Sequence, residues 1–225
     1  MASSAREEVL RRIRTALGGA AADTEVIESG WAGIERKYRR RGEFDHPAVL
    51  DQLEDRLRDY DAHVERATSA ELTSKIAELL KARGVRTLVI PEALEQVLGA
   101  KLPDGFEFAE DQVFSAAELD RFEGVITGCT VAISETGTLI LQDVPGQGRR
   151  APTLVPDYHL CVVRAEDVVE TVPEAIARLQ PTASLATTFV SGPSATADIE
   201  MTRIKGVHGP RFLDVILVVE RSGSL

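Results

Sequence analysis

The sequence predicts an α/β fold: a mostly parallel sheet flanked by helices, with a helical extension at the N-terminus. Two observations carry this. First, a short candidate strand at 61–65 leads into an apolar helical stripe (Leu72, Ile76, Leu79, Leu80), and the β-branched run 87–90 follows at once. Such strand–helix–strand units close as parallel crossovers. Second, the runs at 124–127, 159–163 and 212–220 are apolar at nearly every position. Strands of that kind are buried on both faces, as in a sheet covered by helices.

Each element has its own local reason. Val9, Leu10, Ile13 and Leu17 recur at helical spacing, Ser4 and Glu7 fit a capping box, and Gly18-Gly19 stops the helix. Residues 18–30 are small and polar and read as a linker. Residues 1–45 therefore form an extension and linker, and residues 46–225 form the α/β domain. A helix follows Pro47 through Val49, Leu50, Leu53 and Leu57; the next starts at Thr68 or Ser69 and ends at Gly84. In the second half, 131–134 and 138–141 flank a turn. Thr171 and Glu174 cap a helix to Leu179, and 184–190 ends β-branched. A short helix is expected after Ser194, before the last strand.

Composition narrows the function. The net charge of −10, from 26 basic and 36 acidic residues, disfavours nucleic acid and anionic membrane as general partners. One cationic run, Arg36-Lys37-Tyr38-Arg39-Arg40-Arg41, is either a solvated face or a dock for an acidic partner. Two distant cysteines, Cys129 and Cys161, suggest no disulfide framework and a cytoplasmic chain. They cannot supply the four thiolates of an ordinary iron–sulfur cluster. The four histidines show no ligand spacing, so no metal site is expected, and no run of about 18 apolar residues spans a bilayer. The N-terminus has no apolar signal core.

Three segments can carry chemistry. Ser134-Glu135-Thr136-Gly137-Thr138 lies between two apolar strands. A glutamate at a buried sheet's rim can act as nucleophile or base, and Gly137 permits close backbone approach; the alternative is an ordinary turn with Glu135 in solvent. Ser191-Gly192-Pro193-Ser194-Ala195-Thr196-Ala197-Asp198 ends a strand and reads as opening a helix. Free N–H groups and the hydroxyls of Ser191, Ser194 and Thr196 would favour a phosphate or carboxylate, although Asp198 and Glu200 oppose one. Both segments fit strand carboxyl ends, where open α/β sheets bind ligands. Gly206-Val207-His208-Gly209-Pro210 sets an accessible imidazole among small residues, an acid–base candidate or a structural histidine. Gly146-Gln147-Gly148-Arg149-Arg150 reads as a solvated hairpin tip or an anion clamp. Cys129 lacks the identifiable partner a nucleophile needs.

These three segments, in this order, resemble the lactate-utilization (LUD) domain family over about the full length. The resemblance implies a Rossmann-like sheet of the sugar-isomerase and CoA-transferase superfamily. It implies a role in oxidation of L-lactate to pyruvate beside two iron–sulfur partner proteins, with no cofactor on this chain and iron–sulfur clusters only in those partners. A small anionic metabolite is the expected ligand, bound by Thr136, Gly137, Thr138, Ser191, Gly192, Ser194, Thr196, Asp198, Gly206 and Gly209. CoA-transferases place a nucleophilic glutamate in a Ser-Glu-Asn-Gly turn, which Ser134-Glu135-Thr136-Gly137 resembles with Thr136 in place of Asn. Two alternatives stay open: an acyl-transfer or sugar-phosphate enzyme using Glu135, with His208 as a second catalytic candidate, and a metabolite sensor.

Overall fold

The computed structural model describes residues 5–17, 23–197, 203–206 and 208–220. The chain divides into two compact units, Met1–Tyr38 and Arg39–Leu225. The first holds α1 (Ala5–Ala16) and α2 (Thr24–Gly33). The expected Ser4 cap and Gly18-Gly19 stop lie outside the described residues. Helix α2 replaces much of the expected linker. Asp23 caps it by accepting from the Glu25 N–H, and Val26, Ile27 and Trp31 give it an apolar side. Neither helix buries a residue.

The second unit begins with α3 (His46–Asp59), β1 (His63–Ala67), α4 (Leu72–Arg83), β2 (Thr87–Ile90), α5 (Leu94–Leu98), β3 (Glu107–Glu110), α6 (Ala116–Leu119) and β4 (Gly124–Thr127). It continues with β5 (Val131–Ile133), β6 (Thr138–Gln142), β7 (Tyr158–Arg164), β8 (Val168–Val169), α7 (Val172–Leu179), β9 (Thr187–Val190), β10 (Ala195–Ala197), β11 (Arg203–Lys205) and β12 (Phe212–Val218). Asp45 caps α3 ahead of Pro47, and Gly84 ends α4 at φ +70°. The Thr171–Glu174 capping box forms as the sequence predicts.

Six strands make one parallel sheet in the order β1-β12-β7-β4-β2-β3, the Rossmann-like sheet expected. Residues alternate between its faces. Leu160, Val162, Ile216 and Val218 pack with Leu72, Ile76 and Leu80 of α4 and Leu94 of α5. Cys161, Val163, Val215 and Leu217 face Leu50, Leu53 and Leu57 of α3, and Ala132, Leu139 and Leu141 of a second sheet. That mixed sheet runs β8-β5-β6-β9, and Val131, Ile133 and Ile140 on its outer face pack on Ala175 and Leu179 of α7. Full burial of a leucine is worth about 1.5–3 kcal/mol. Leu53 and Leu57, at 1% and 0% exposure, therefore fix α3 firmly between the sheets.

One buried charge ties the layers. Asp214 of β12 accepts from Arg83 Nε (3.1 Å), Arg83 Nη2 (2.5 Å) and the Tyr158 hydroxyl (2.9 Å). Burial and the neighbouring carboxylate push the Tyr158 phenol far above its ordinary pKa, so it stays a donor.

Candidate functional site

The second and third segments meet. The Ser194 N–H donates to Pro210 O (2.8 Å), and Gly206 N–H donates to Ser194 O (3.0 Å). The Ser194 hydroxyl accepts from the His208 N–H (3.1 Å). These bonds correct the expected helix after Ser194. Residues 195–197 are instead β10, paired antiparallel with β11, and Thr196 sits opposite Ile204. A serine that accepts from His208 is engaged in a long-range turn and does not cap a helix. Among the described residues this segment therefore supplies no helix N-terminus to hold an anion. Asp198, Glu200 and Val207 lie outside the described residues.

What the segment lines is a cleft of about 240 Å³. Ser191, Gly192, Ser194, His208 and Gly209 form one wall. Arg150, Thr153, His159 and Leu213 line it too; of these the sequence pointed only to Arg150, in the loop read as a hairpin tip or an anion clamp. His159 and Leu213 are register partners on β7 and β12, so both point from the sheet face that meets α3 and the second sheet. The cleft thus lies beside the amino ends of these two strands. The two glycine-bearing segments do follow carboxyl ends of strands, as expected, but of β5 and β9 in the second sheet and not of the parallel sheet.

The charges are legible. His159 is buried, with Nε2 2.8 Å from Thr127 Oγ1. Burial, helped by the charge of Arg150, pushes its pKa down to about 3. The ring is neutral at physiological pH. Arg150 stands exposed at the mouth, yet the protein around its guanidinium strips enough water to lower its pKa. Its Nη1 donates to Thr153 O (3.0 Å) and Oγ1 (2.7 Å), and among the described residues no carboxylate pairs with it. One cation, several hydroxyls and a neutral imidazole suit a small carboxylate or phosphate.

The first segment joins the cleft through hydroxyls. It is the turn of a β5–β6 hairpin, as expected, with Gly137 at φ +58° where a Cβ would fall 3.0 Å from the Arg56 backbone. Thr136 Oγ1 lies 2.8 Å from Thr138 Oγ1, which lies 2.8 Å from Ser191 Oγ. Gly192, at φ +85°, packs so closely that a Cβ would meet Tyr60 Cβ at 2.5 Å. Glu135 takes no part in the lining. Its exposed carboxylate meets Arg39 Nη2 at 3.2 Å, and its N–H donates to Glu170 O (3.0 Å). Arg39 also reaches Glu170 Oε1 (3.1 Å), and the buried Glu170 Oε2 accepts from the Glu43 and Phe44 N–H groups (2.7 Å each). Part of the cationic run is therefore spoken for.

The loop read as a solvated hairpin tip is built in. Arg149 donates to both Asp111 oxygens (2.6 and 2.9 Å) and to Phe114 O (2.6 Å), and Gln147 is buried. Both cysteines are free thiols. The Cys161 thiol and loss of water push the Cys129 thiol's pKa up, away from nucleophilic character. Among the described residues no three His, Cys, Asp or Glu side chains gather to hold a metal ion, and no helix is long and apolar enough to cross a membrane. Sequence reasoning missed His159 because it sits inside an apolar strand. The available signal was one titratable side chain at a position whose neighbours are all core residues.

A parallel Rossmann-like sheet backed by a second, mixed sheet, with a small polar cleft between them, defines the class. The chain belongs to the LUD domain family, whose model matches residues 50–218. It is 44% identical over 173 residues to lactate utilization protein C of Deinococcus radiodurans, covering 76% of this chain and 79% of that protein. It is 26% identical over 227 residues to lactate utilization protein C of Bacillus pumilus, covering 92% and 93%. The crystal structure of a DUF162 family protein from Deinococcus radiodurans superposes with a TM-score of 0.67 at 37% identity, over 79% of this chain and 100% of that one.

Proposed function

We propose that this chain is a cytoplasmic component of L-lactate utilization, the oxidation of L-lactate to pyruvate, and that its cleft binds a small anionic metabolite. The pathway rests on the name carried by its relatives. The ligand class rests on one observation: Ser191, Ser194 and His208 converge with Arg150 and a neutral His159 around 240 Å³ of space. Arg150 supplies the charge, and the serine and threonine hydroxyls supply donors that can follow a carboxylate or phosphate. In this reading His208, an exposed residue of the lining, is the candidate to exchange a proton with such a ligand. The chain itself carries no redox centre in this reading. Two iron–sulfur proteins perform the electron transfer, and this subunit associates with them.

Acyl transfer through Glu135 gains no support from the geometry. Its carboxylate is engaged by Arg39 and lies outside the cleft lining, whereas Thr136 and Thr138 connect to the cleft. The test is thermal stabilisation of the full chain by L-lactate, pyruvate or inorganic phosphate, run beside Ser194→Ala. A ligand that binds only the native state raises stability by RT ln(1 + [L]/Kd). One of these anions should raise Tm, and the variant should lose most of the rise. No shift with any of them, or an equal shift in the variant, contradicts the ligand class. Co-purification with the two iron–sulfur proteins tests the assembly separately.

A further inference from the structure

The parallel sheet has a second place where a ligand fits. Chain order reverses between β2 and β4: from β2 the chain passes outward to β3, returns as β4 on the other side, and proceeds to β7 and β12. In open α/β sheets the carboxyl ends at such a reversal flank a crevice that receives ligands. A hollow of about 260 Å³ occupies this place. Pro91 and Glu92, just after β2, line it with Asp111, just after β3, and Val125 of β4. Asp143, Gln147 and Arg149 close it from the loop after β6.

Gln147 marks it as built to receive something. The residue is 7% exposed. Its Oε1 accepts from the Thr130 hydroxyl and the Gln142 N–H, both at 2.8 Å. The Gln142 N–H can only donate, so the amide cannot be flipped, and Nε2 must face the other way. Among the described residues Nε2 has no acceptor, yet no side-chain nitrogen or oxygen is both sealed from solvent and unpartnered. Nε2 is therefore a fixed donor that is not sealed from solvent, on a residue that lines this hollow and a smaller one adjoining it through Asp143, Gly148 and Arg149. The loop that carries it is pinned: Gly146 donates to Glu92 O (2.8 Å) and accepts from the Gly128 N–H (2.7 Å), and Arg149 is locked on Asp111.

The remaining groups define the ligand. Asp111, Asp143 and Glu92 set three carboxylates against the one guanidinium of Arg149, a balance that repels anions. The carboxylates of Asp143 and Glu92 have no hydrogen-bond or ion-pair partner among the described residues, so they are free to accept. A donor amide and acceptor carboxylates together call for groups that both accept and donate, which hydroxyls do and ammonium groups do not. Pro91, Val113, Val125 and Pro152 offer apolar walls for C–H faces. The volume falls just below the roughly 300–1,000 Å³ of drug-sized pockets, matching a single ring. We propose that this crevice is a second ligand site, separate from the anion cleft, for a neutral hydroxyl-rich molecule of pentose or hexose size, free or as the ribose of a nucleoside.

Saturation-transfer NMR on the full chain with D-ribose, D-glucose and adenosine, and with L-lactate and pyruvate as anionic comparisons, tests this. At least one hydroxyl-rich compound should receive transfer. Gln147→Glu, which keeps the acceptor and removes the donor, should weaken it about tenfold, the scale of one lost hydrogen bond. Asp143→Ala, an exposed change, should weaken it similarly with Tm unchanged. The proposal is overturned by transfer to none of the three, by transfer to the anions only, or by equal binding in Asp143→Ala. The anion cleft is judged separately, by whether Arg150→Gln loses anion binding.

Discussion

Replacing His159 by Phe should flatten the acid limb of the stability curve. The imidazole has a pKa of about 3 in the fold, pushed down by burial and by Arg150. In the unfolded chain it returns to the ordinary value of about 6.5. Between these values the unfolded state binds a proton that the native state refuses, so stability falls as pH drops below about 6.5 and continues to fall toward 3. Each unit of pH costs about 1.4 kcal/mol in this window, which makes about 2 kcal/mol between pH 7 and pH 5. Urea unfolding at the two pH values, on the native chain and on His159→Phe, isolates the effect. The carboxylates held at lowered pKa, such as Glu123 on the Arg86 and Thr87 N–H groups, titrate in both proteins and cancel in the difference. The native chain should lose about 2 kcal/mol more than the variant over this interval. Equal losses would mean that His159 is protonated in the fold, and the neutral floor of the cleft would have to be abandoned.

Other expectations follow from single contacts. Gly192→Ala places a Cβ 2.5 Å from Tyr60 Cβ at φ +85°, so it should cost more than about 1 kcal/mol by urea unfolding; a neutral change would show that this loop yields freely. Glu170→Ala removes the acceptor of Arg39 and of the Glu43 and Phe44 N–H groups, so trypsin should cut at Arg39–Arg41 at least severalfold faster, and an unchanged rate would refute the anchoring role. Asp214→Ala strands Arg83 and the Tyr158 hydroxyl and should cost about 3–5 kcal/mol, which a change in Tm reads directly.

The elements legible in the sequence were those whose signals are local. The capping box of Thr171 and Glu174, the Gly84 stop and the largely apolar strands β4, β7 and β12 each follow from neighbouring residues. The hairpin around Glu135 was equally plain, since apolar runs flank a glycine turn. What failed depended on distant partners. Ser194 with its following small residues has the look of a helix start, but its hydrogen bonds go to Gly206, His208 and Pro210, and pairing with β11 decides the backbone. The division of the strands between two sheets is likewise set by packing on α3, invisible in any single run. Helix α2 was missed because small residues outnumber Val26, Ile27 and Trp31. The site was half visible: Ser191, Ser194 and His208 stand in recognisable segments and Arg150 in a loop read as a hairpin tip or an anion clamp, whereas His159 hides in a core strand. Glu135, the most conspicuous residue of the first segment, is drawn off by Arg39, and its threonine neighbours reach the cleft instead.

The claim that the cleft is an anion site stands on Arg150, the cation that lines it. Calorimetric titration of L-lactate, pyruvate and phosphate into the native chain, Arg150→Gln, and Arg121→Gln as an exposed control outside the lining measures it directly. One of the anions should bind the native chain and the Arg121 variant alike, and bind Arg150→Gln at least about tenfold more weakly, the scale of one charge-assisted hydrogen bond. Equal affinity in Arg150→Gln, or no binding of any of the three to the native chain, would contradict the account.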